Sequence, residues 1–105
     1  MHALVVSYTL RDATSGEHSE LCEQLAPAVA SVGGLASATW LTNPASGGYG
    51  AFFVFETKRD FDRFVASELF GAISAHSSIH DLKASDYSIS DRPTAVTRGP
   101  VLKRT

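Results

Sequence analysis

From Ala3 to Leu10 the chain is apolar on both alternating sides, with Leu4, Val6, Tyr8 and Leu10 on one and Ala3 and Val5 on the other. A run of this kind, closed by Arg11-Asp12, predicts a first strand covered on both faces. The period then changes. After Ser15, read as an N-cap with Glu17 in the first turn, Leu21, Cys22, Leu25, Val29 and Val32 recur at helical spacing and predict an amphipathic helix stopped by Gly33-Gly34. Pro27 falls inside this helix, where it removes a backbone donor and crowds the preceding turn. A kink near Glu23 and Gln24, or a loosening of the last turns, is expected.

Leu35 to Thr42 predicts a second strand, and the turn-forming run Asn43-Pro44-Ala45-Ser46-Gly47-Gly48 joins it to an aromatic third strand from Tyr49 to Glu56 as an antiparallel hairpin. Phe53 and Phe55 lie on one side of this strand and Phe52 and Val54 on the other, so it belongs in the middle of a sheet. Thr57, with Asp60 three residues on, resembles a capping box and opens a second helix with the stripe Phe61, Phe64 and Val65. Leu69 to Ile73 can add a short helical turn despite Gly71. His80 to Ser90 alternates around Leu82, Ala84, Tyr87 and Ile89 and predicts the last strand. The fold class is therefore α+β, in β-α-β-β-α-β order with a four-stranded antiparallel sheet, as one domain over 1–91. An extended C-terminal tail over 92–105, with Pro93 and Pro100, completes the chain.

Two substantial helices cover only one face of such a sheet. The central strands offer apolar side chains to both, and a bare second face exceeds the few hundred Å² of contiguous apolar surface that monomers tolerate. A second copy of the same face is the simplest cover, because a two-fold contact needs one self-complementary patch. A homodimer is therefore expected, the alternative being a monomer covered by its own tail.

The remaining composition narrows the partners. At 105 residues the chain holds one core, and nine Lys plus Arg against eleven Asp plus Glu give a formal net charge of −2, with nothing to attract nucleic acid or an anionic membrane surface. Met1-His2-Ala3-Leu4-Val5-Val6 lacks the basic stretch and cleavage site of a signal peptide, and no segment reaches membrane-span length, so a cytoplasmic location is expected. Cys22 is the sole cysteine, at a helical core spacing that favours a buried thiol over a nucleophile.

Most familiar chemistries find no support. His76 and His80 with Asp81 have metal-ligand spacing only on a helix, and Ser77-Ser78 and the onset of a strand argue against one; no metal is expected. There is no G-x-S-x-G elbow, and Cys22 has no evident activating base. Gly48-Tyr49-Gly50-Ala51-Phe52-Phe53-Val54-Phe55 approaches the third strand of an RNA-recognition fold, yet lacks the leading basic residue and has Ala51 where that pattern wants Phe. What remains is aromatic: Tyr8, Trp40, Phe53, Phe55, Phe64 and Phe70, with His76 near them, can line an apolar pocket between sheet and helices for a small apolar or aromatic molecule. For any one of these residues taken singly, core is the favoured reading.

Gly34-Leu35-Ala36-Ser37-Ala38-Thr39-Trp40, followed after the turn by Gly48 to Glu56, resembles the dimeric α+β barrel (ferredoxin-like) superfamily, and within it the YdhR-type monooxygenases. Leu25-Ala26-Pro27 and Pro93 to Gly99 are similar as well. The resemblance implies a ferredoxin-like subunit, a homodimer whose sheets meet as a barrel, and a pocket between each sheet and its own helices. It implies a monooxygenase that needs no cofactor, neither metal nor flavin, and oxidises a small aromatic or polyketide-like substrate. In such a scheme Trp40, Tyr8 and His76 are the catalytic candidates, as donors to a substrate anion, and Phe53, Phe55, Phe64 and Phe70 bind the substrate. Relatives commonly carry a lysine two residues before the tryptophan, where this chain has Ala38. Haem degradation with His76 on the iron, and a non-catalytic binding or structural homodimer, are the alternatives.

Overall fold

The computed structural model describes residues 1–100. Its elements run β1 (His2–Leu10), α1 (Ser15–Ala30), β2 (Leu35–Asn43), β3 (Gly48–Phe55), α2 (Lys58–Val65), α3 (Glu68–Ser74), β4 (Ile79–Ser88) and α4 (Asp91–Val96). The strands form one antiparallel sheet in the order β2-β3-β1-β4, so the two strands richest in apolar residues are central. This is the expected ferredoxin-like α+β subunit.

The register sorts the strand residues into two faces. Val6 pairs with Ala51, Trp40 with Ala51 and Ala38 with Phe53, which places Leu4, Val6, Tyr8, Ala51, Phe53, Phe55 and Trp40 together beneath the helices. There they join Val29 of α1 and Phe61 and Phe64 of α2 in one core. Phe55, Phe64, Leu4 and Val29 are its most completely enclosed members apart from Val54, which belongs to the other face. That other face carries Val5 and Phe52, both half-buried, with exposed Leu41 and Tyr87. No helix with a buried residue other than α1 and α2 is present among the described residues.

The helix starts show why local sequence decides these boundaries. Thr14, one residue before the expected Ser15, caps α1: its hydroxyl accepts the Glu17 N–H at 3.1 Å while the Glu17 carboxylate accepts the Thr14 N–H at 3.0 Å. Ser15 is instead the first helical residue. The helix continues through Pro27 and ends at Ala30, short of Val32, and Ser31 Oγ donates to the Pro27 carbonyl at 3.0 Å. Thr57 caps α2 as expected, accepting the Asp60 N–H at 3.1 Å.

Four further details depart from the sequence pattern. In β4 a bulge falls opposite Ser7 to Thr9, with Asp81 at φ 56°. Leu82 and Ala84 face the helices, whereas Tyr87 pairs with Ala3 on the opposite face, so the loose alternation spans both sides of the strand. Ile89 lies beyond the strand end. Residues 92–96, expected as extended tail, belong to the short helix α4. Residues 101–105 of that tail lie outside the described residues. No described helix is long and apolar enough to cross a membrane.

Two glycines are required by close approach. A side chain on Gly50 would meet the Val6 carbonyl oxygen at 2.1 Å, and Gly34, at φ 78°, has the Asp60 carboxylate where its Cβ would stand. The second contact joins the start of β2 to the start of α2.

Candidate active site

The sheet, α1 and α3 enclose a narrow apolar pocket. The sheet supplies Val6, Tyr8, Trp40, Ala51 and Phe53, α1 supplies Leu21, Cys22 and Leu25, and α3 supplies Phe70 and Ile73. Its enclosed volume is about 20 Å³, which holds on the order of one water. An open groove of about 290 Å³ adjoins it, sharing Cys22 and Trp40 and reaching His18, Ser19, Glu23 and Thr42. A second groove, of about 250 Å³, runs along the other side of α1 past Leu10, Glu17, Glu20 and His76.

Of the residues expected at the site, the structure brings Tyr8, Trp40, Phe53 and Phe70 to the inner pocket. Phe55 and Phe64 sit behind it in the core, 5.4 Å apart between ring centroids, and line none of the pocket wall. His76 stands in the second groove, where its Nδ1 accepts the Ser78 N–H at 3.1 Å.

The sequence reading passed over His18. It is 2% exposed and its Nε2 lies 2.6 Å from the Tyr8 hydroxyl. The Tyr49 ring packs on it at 4.6 Å between centroids, and the Tyr49 hydroxyl is tied to Ser15 Oγ. Burial pushes the Tyr8 hydroxyl up to about 12, with a smaller contribution from Cys22, and pushes His18 below its ordinary value. Both groups are therefore neutral at pH 7, and the Tyr8 hydroxyl donates into the Nε2 lone pair when Nδ1 carries the ring proton.

Cys22 follows His18 by one helical turn, and its Sγ lies 3.5 Å from His18 Nε2 and 3.9 Å from Nδ1. A base thus does stand beside the thiol, contrary to the reading from sequence. Burial raises the thiol and lowers the imidazole, and both shifts oppose a thiolate-imidazolium pair. The cluster thus joins a short Tyr8–His18 contact to a thiol that burial keeps protonated. Its sequence signal was the spacing of His18 and Cys22 on the apolar side of α1.

A family model described as "Putative mono-oxygenase ydhR" matches residues 3–100. The chain belongs to the ydhR family. No curated protein matches this ydhR-family chain in sequence. Among solved structures, a variant of SnoaB from Streptomyces nogalater, described as a cofactor-independent oxygenase, is similar at 18% identity and TM-score 0.68, covering 84% of this chain and 91% of that one. A protein of Deinococcus radiodurans described as a "putative antibiotic biosynthesis monooxygenase" is similar at 17% identity and TM-score 0.71, over 87% and 94% of the two chains. A variant of MhuD with two manganese protoporphyrin IX groups per active site is similar at 12% identity and TM-score 0.68, over 85% and 94%. At these identities the likeness shows the fold alone.

Proposed function

We propose that this ydhR-family chain is a cofactor-independent monooxygenase that takes a small aromatic or polyketide-like substrate into the pocket between sheet and helices and works as a homodimer. The observation that carries this reading is the Tyr8 hydroxyl, with a raised pKa, set in a wall whose other members are Trp40, Phe53, Phe70, the Cys22 thiol and aliphatic side chains. An aromatic ring can stack there while its hydroxyl meets Tyr8. SnoaB and the Deinococcus protein support the reaction class, on the same fold.

In such chemistry the substrate supplies the electrons. An activated phenol or enol, whose reacting carbon is a methylene in the keto form, loses a proton; the carbanion passes one electron to dioxygen, and the radical pair joins as a peroxide. Loss of water from the peroxide leaves a carbonyl, so one methylene group and one dioxygen give one ketone and one water. The protein must exclude water and stabilise the anion, through Tyr8 and the Trp40 indole N–H. Phe53 and Phe70 hold the ring, Phe55 and Phe64 brace it from behind, and His76 borders the approach through the second groove.

A cavity of about 20 Å³ admits no ring as it stands. Entry therefore displaces α3, a seven-residue helix none of whose residues is fully buried, and which supplies Phe70 and Ile73 to the wall. A porphyrin would need a far larger opening, which disfavours the haem reading. The opposite sheet face, with Val5, Phe52, Leu41 and Tyr87, is the surface for the second copy.

An oxygen electrode tests the reaction, using protein dialysed against a chelator and a phenolic aromatic polyketide. Uptake is expected, and Trp40→Phe should lower kcat by about tenfold or more. Full activity in that variant removes Trp40 from the scheme. Protection of the fold by the ligand without oxygen uptake would instead establish a non-catalytic binding dimer.

A further inference from the structure

We propose that His18 is the proton acceptor of this site and works through Tyr8, which touches the substrate while His18 receives the proton behind it. The substrate class rests on the monooxygenase reading; the relay rests on geometry of its own. Tyr8 lines the inner pocket, whereas His18 lines only the open grooves outside it, one of which shares Trp40 and Cys22 with the pocket; Tyr8 and His18 meet at 2.6 Å. His18 is enclosed, with Tyr49 packed on its ring and Tyr49 in turn tied to Ser15, so the imidazole is held in place rather than free to swing into the pocket.

The groups that face the imidazole make it an acceptor. They are Tyr8 from β1, Tyr49 from β3 and Cys22 from α1, with Glu17, Glu20 and His76 along one groove that His18 borders and Glu23 along the other. No carboxylate bonds to its ring among the described residues. With the pocket empty, burial keeps the ring neutral and its lone pair available. A substrate anion brings the missing opposite charge, which favours the imidazolium.

The transfer balances without any redox partner. The substrate O–H bond breaks toward Tyr8 Oη as the Tyr8 O–H bond breaks toward His18 Nε2. Tyr8 ends as it began, leaving a substrate anion and an imidazolium. Because burial disfavours a tyrosinate, Tyr8 gives up its own proton as it takes one. The same path returns the proton when the peroxide breaks and water leaves.

The test is spectroscopic and needs no turnover. 4-Nitrophenol absorbs in the visible only as its phenolate, so its spectrum with excess protein, at a pH below its solution pKa, reports whether the site has taken its proton. The wild-type chain is expected to hold the probe ionised, and the ionised fraction should fall only at a pH below the lowered His18 value, where the probe–imidazole pair takes up one further proton. In His18→Gln the probe should bind neutral, with the ionised fraction down about tenfold or more. Tyr8→Phe, which keeps the ring, should do the same and carries the test alone should His18→Gln not fold. Ionisation of the probe by His18→Gln as in wild type, a neutral probe on the wild type, or no binding by the wild type overturns the relay. Ionisation without oxygen uptake from any phenolic substrate would sink the monooxygenase reading and leave the relay standing. Oxygen uptake with an unchanged pH profile in His18→Gln would do the reverse.

Discussion

His18 and Asp60 are polar side chains enclosed by the fold, and acid reaches them in separate windows. His18 is depressed below its ordinary value of 6.5 by burial, so the unfolded chain takes up a proton that the folded chain refuses. Its contribution to stability is complete above 6.5, is lost as pH falls below that value, and levels off beneath the folded value. Asp60 is held below its ordinary value of 3.8 first by the Thr57 hydroxyl and then by Arg63, against the opposing effect of burial. Its contribution is present above 3.8 and is lost as pH falls through the folded value. Urea midpoints followed against pH should therefore show two falls, the upper one absent in His18→Gln and the lower one absent in Asp60→Asn. Gly34→Ala places a methyl on the Asp60 carboxylate at a positive φ and should cost about 1–3 kcal/mol in the same measurement. At this scale the sequence showed the aromatic wall and concealed the base. Tyr8, Trp40 and Phe53 follow from strand alternation; His18 shares the helical stripe of Cys22 and Leu25, but as a polar side chain between Glu17, Ser19 and Glu20 it adds nothing to the apolar period that marks that stripe. Phe53 and Phe55 share one side of β3 and both pack on Phe64 of α2, and only the three-dimensional arrangement brings Phe53 to the pocket wall while Phe55 stays behind it.

Under the proposed function the elements divide into those that hold the site and one, α3, that moves on substrate entry. β1, β3 and α1 fix Tyr8, Phe53 and the His18-Cys22 pair, and α1 is anchored by the reciprocal bonds of Thr14 and Glu17. Thr14→Ala should lower stability by about 1 kcal/mol, read as a shifted urea midpoint with unchanged slope. Ser15→Ala should not reproduce that loss of the cap, since Ser15 Oγ serves Tyr49 instead. Helix and strand order was legible because the apolar period changes cleanly along the chain. The bulge at Asp81 was not, because one extra residue in β4 shifts the alternation without any glycine or proline to mark it. The α4 helix was missed for a related reason. Pro93 reads as a helix breaker, yet it falls in the first turn after Asp91, where no backbone donor is needed.

For the whole molecule the open side of the energy balance is the sheet face away from the helices. Val5 and Phe52 are half-buried and Leu41 and Tyr87 are 43% and 59% exposed, while Ser37, Thr39, Lys83 and Ser85 surround them. A second copy would bury this mixed patch, and light scattering should return twice 11.2 kDa. Phe52→Glu, at the centre of the face, should return 11.2 kDa with the helix-side pocket intact. Both faces were legible from parity in β1 and β3, whereas the closure of the pocket to about 20 Å³ was not, since it depends on where α3 settles. The most direct test of the monooxygenase reading is mass spectrometry of the product formed under heavy-isotope dioxygen by protein freed of metal and flavin. One heavy oxygen atom in each ketone product, with the other in water, is the expected result; a ketone carrying only oxygen from solvent water, with exchange excluded, would contradict it.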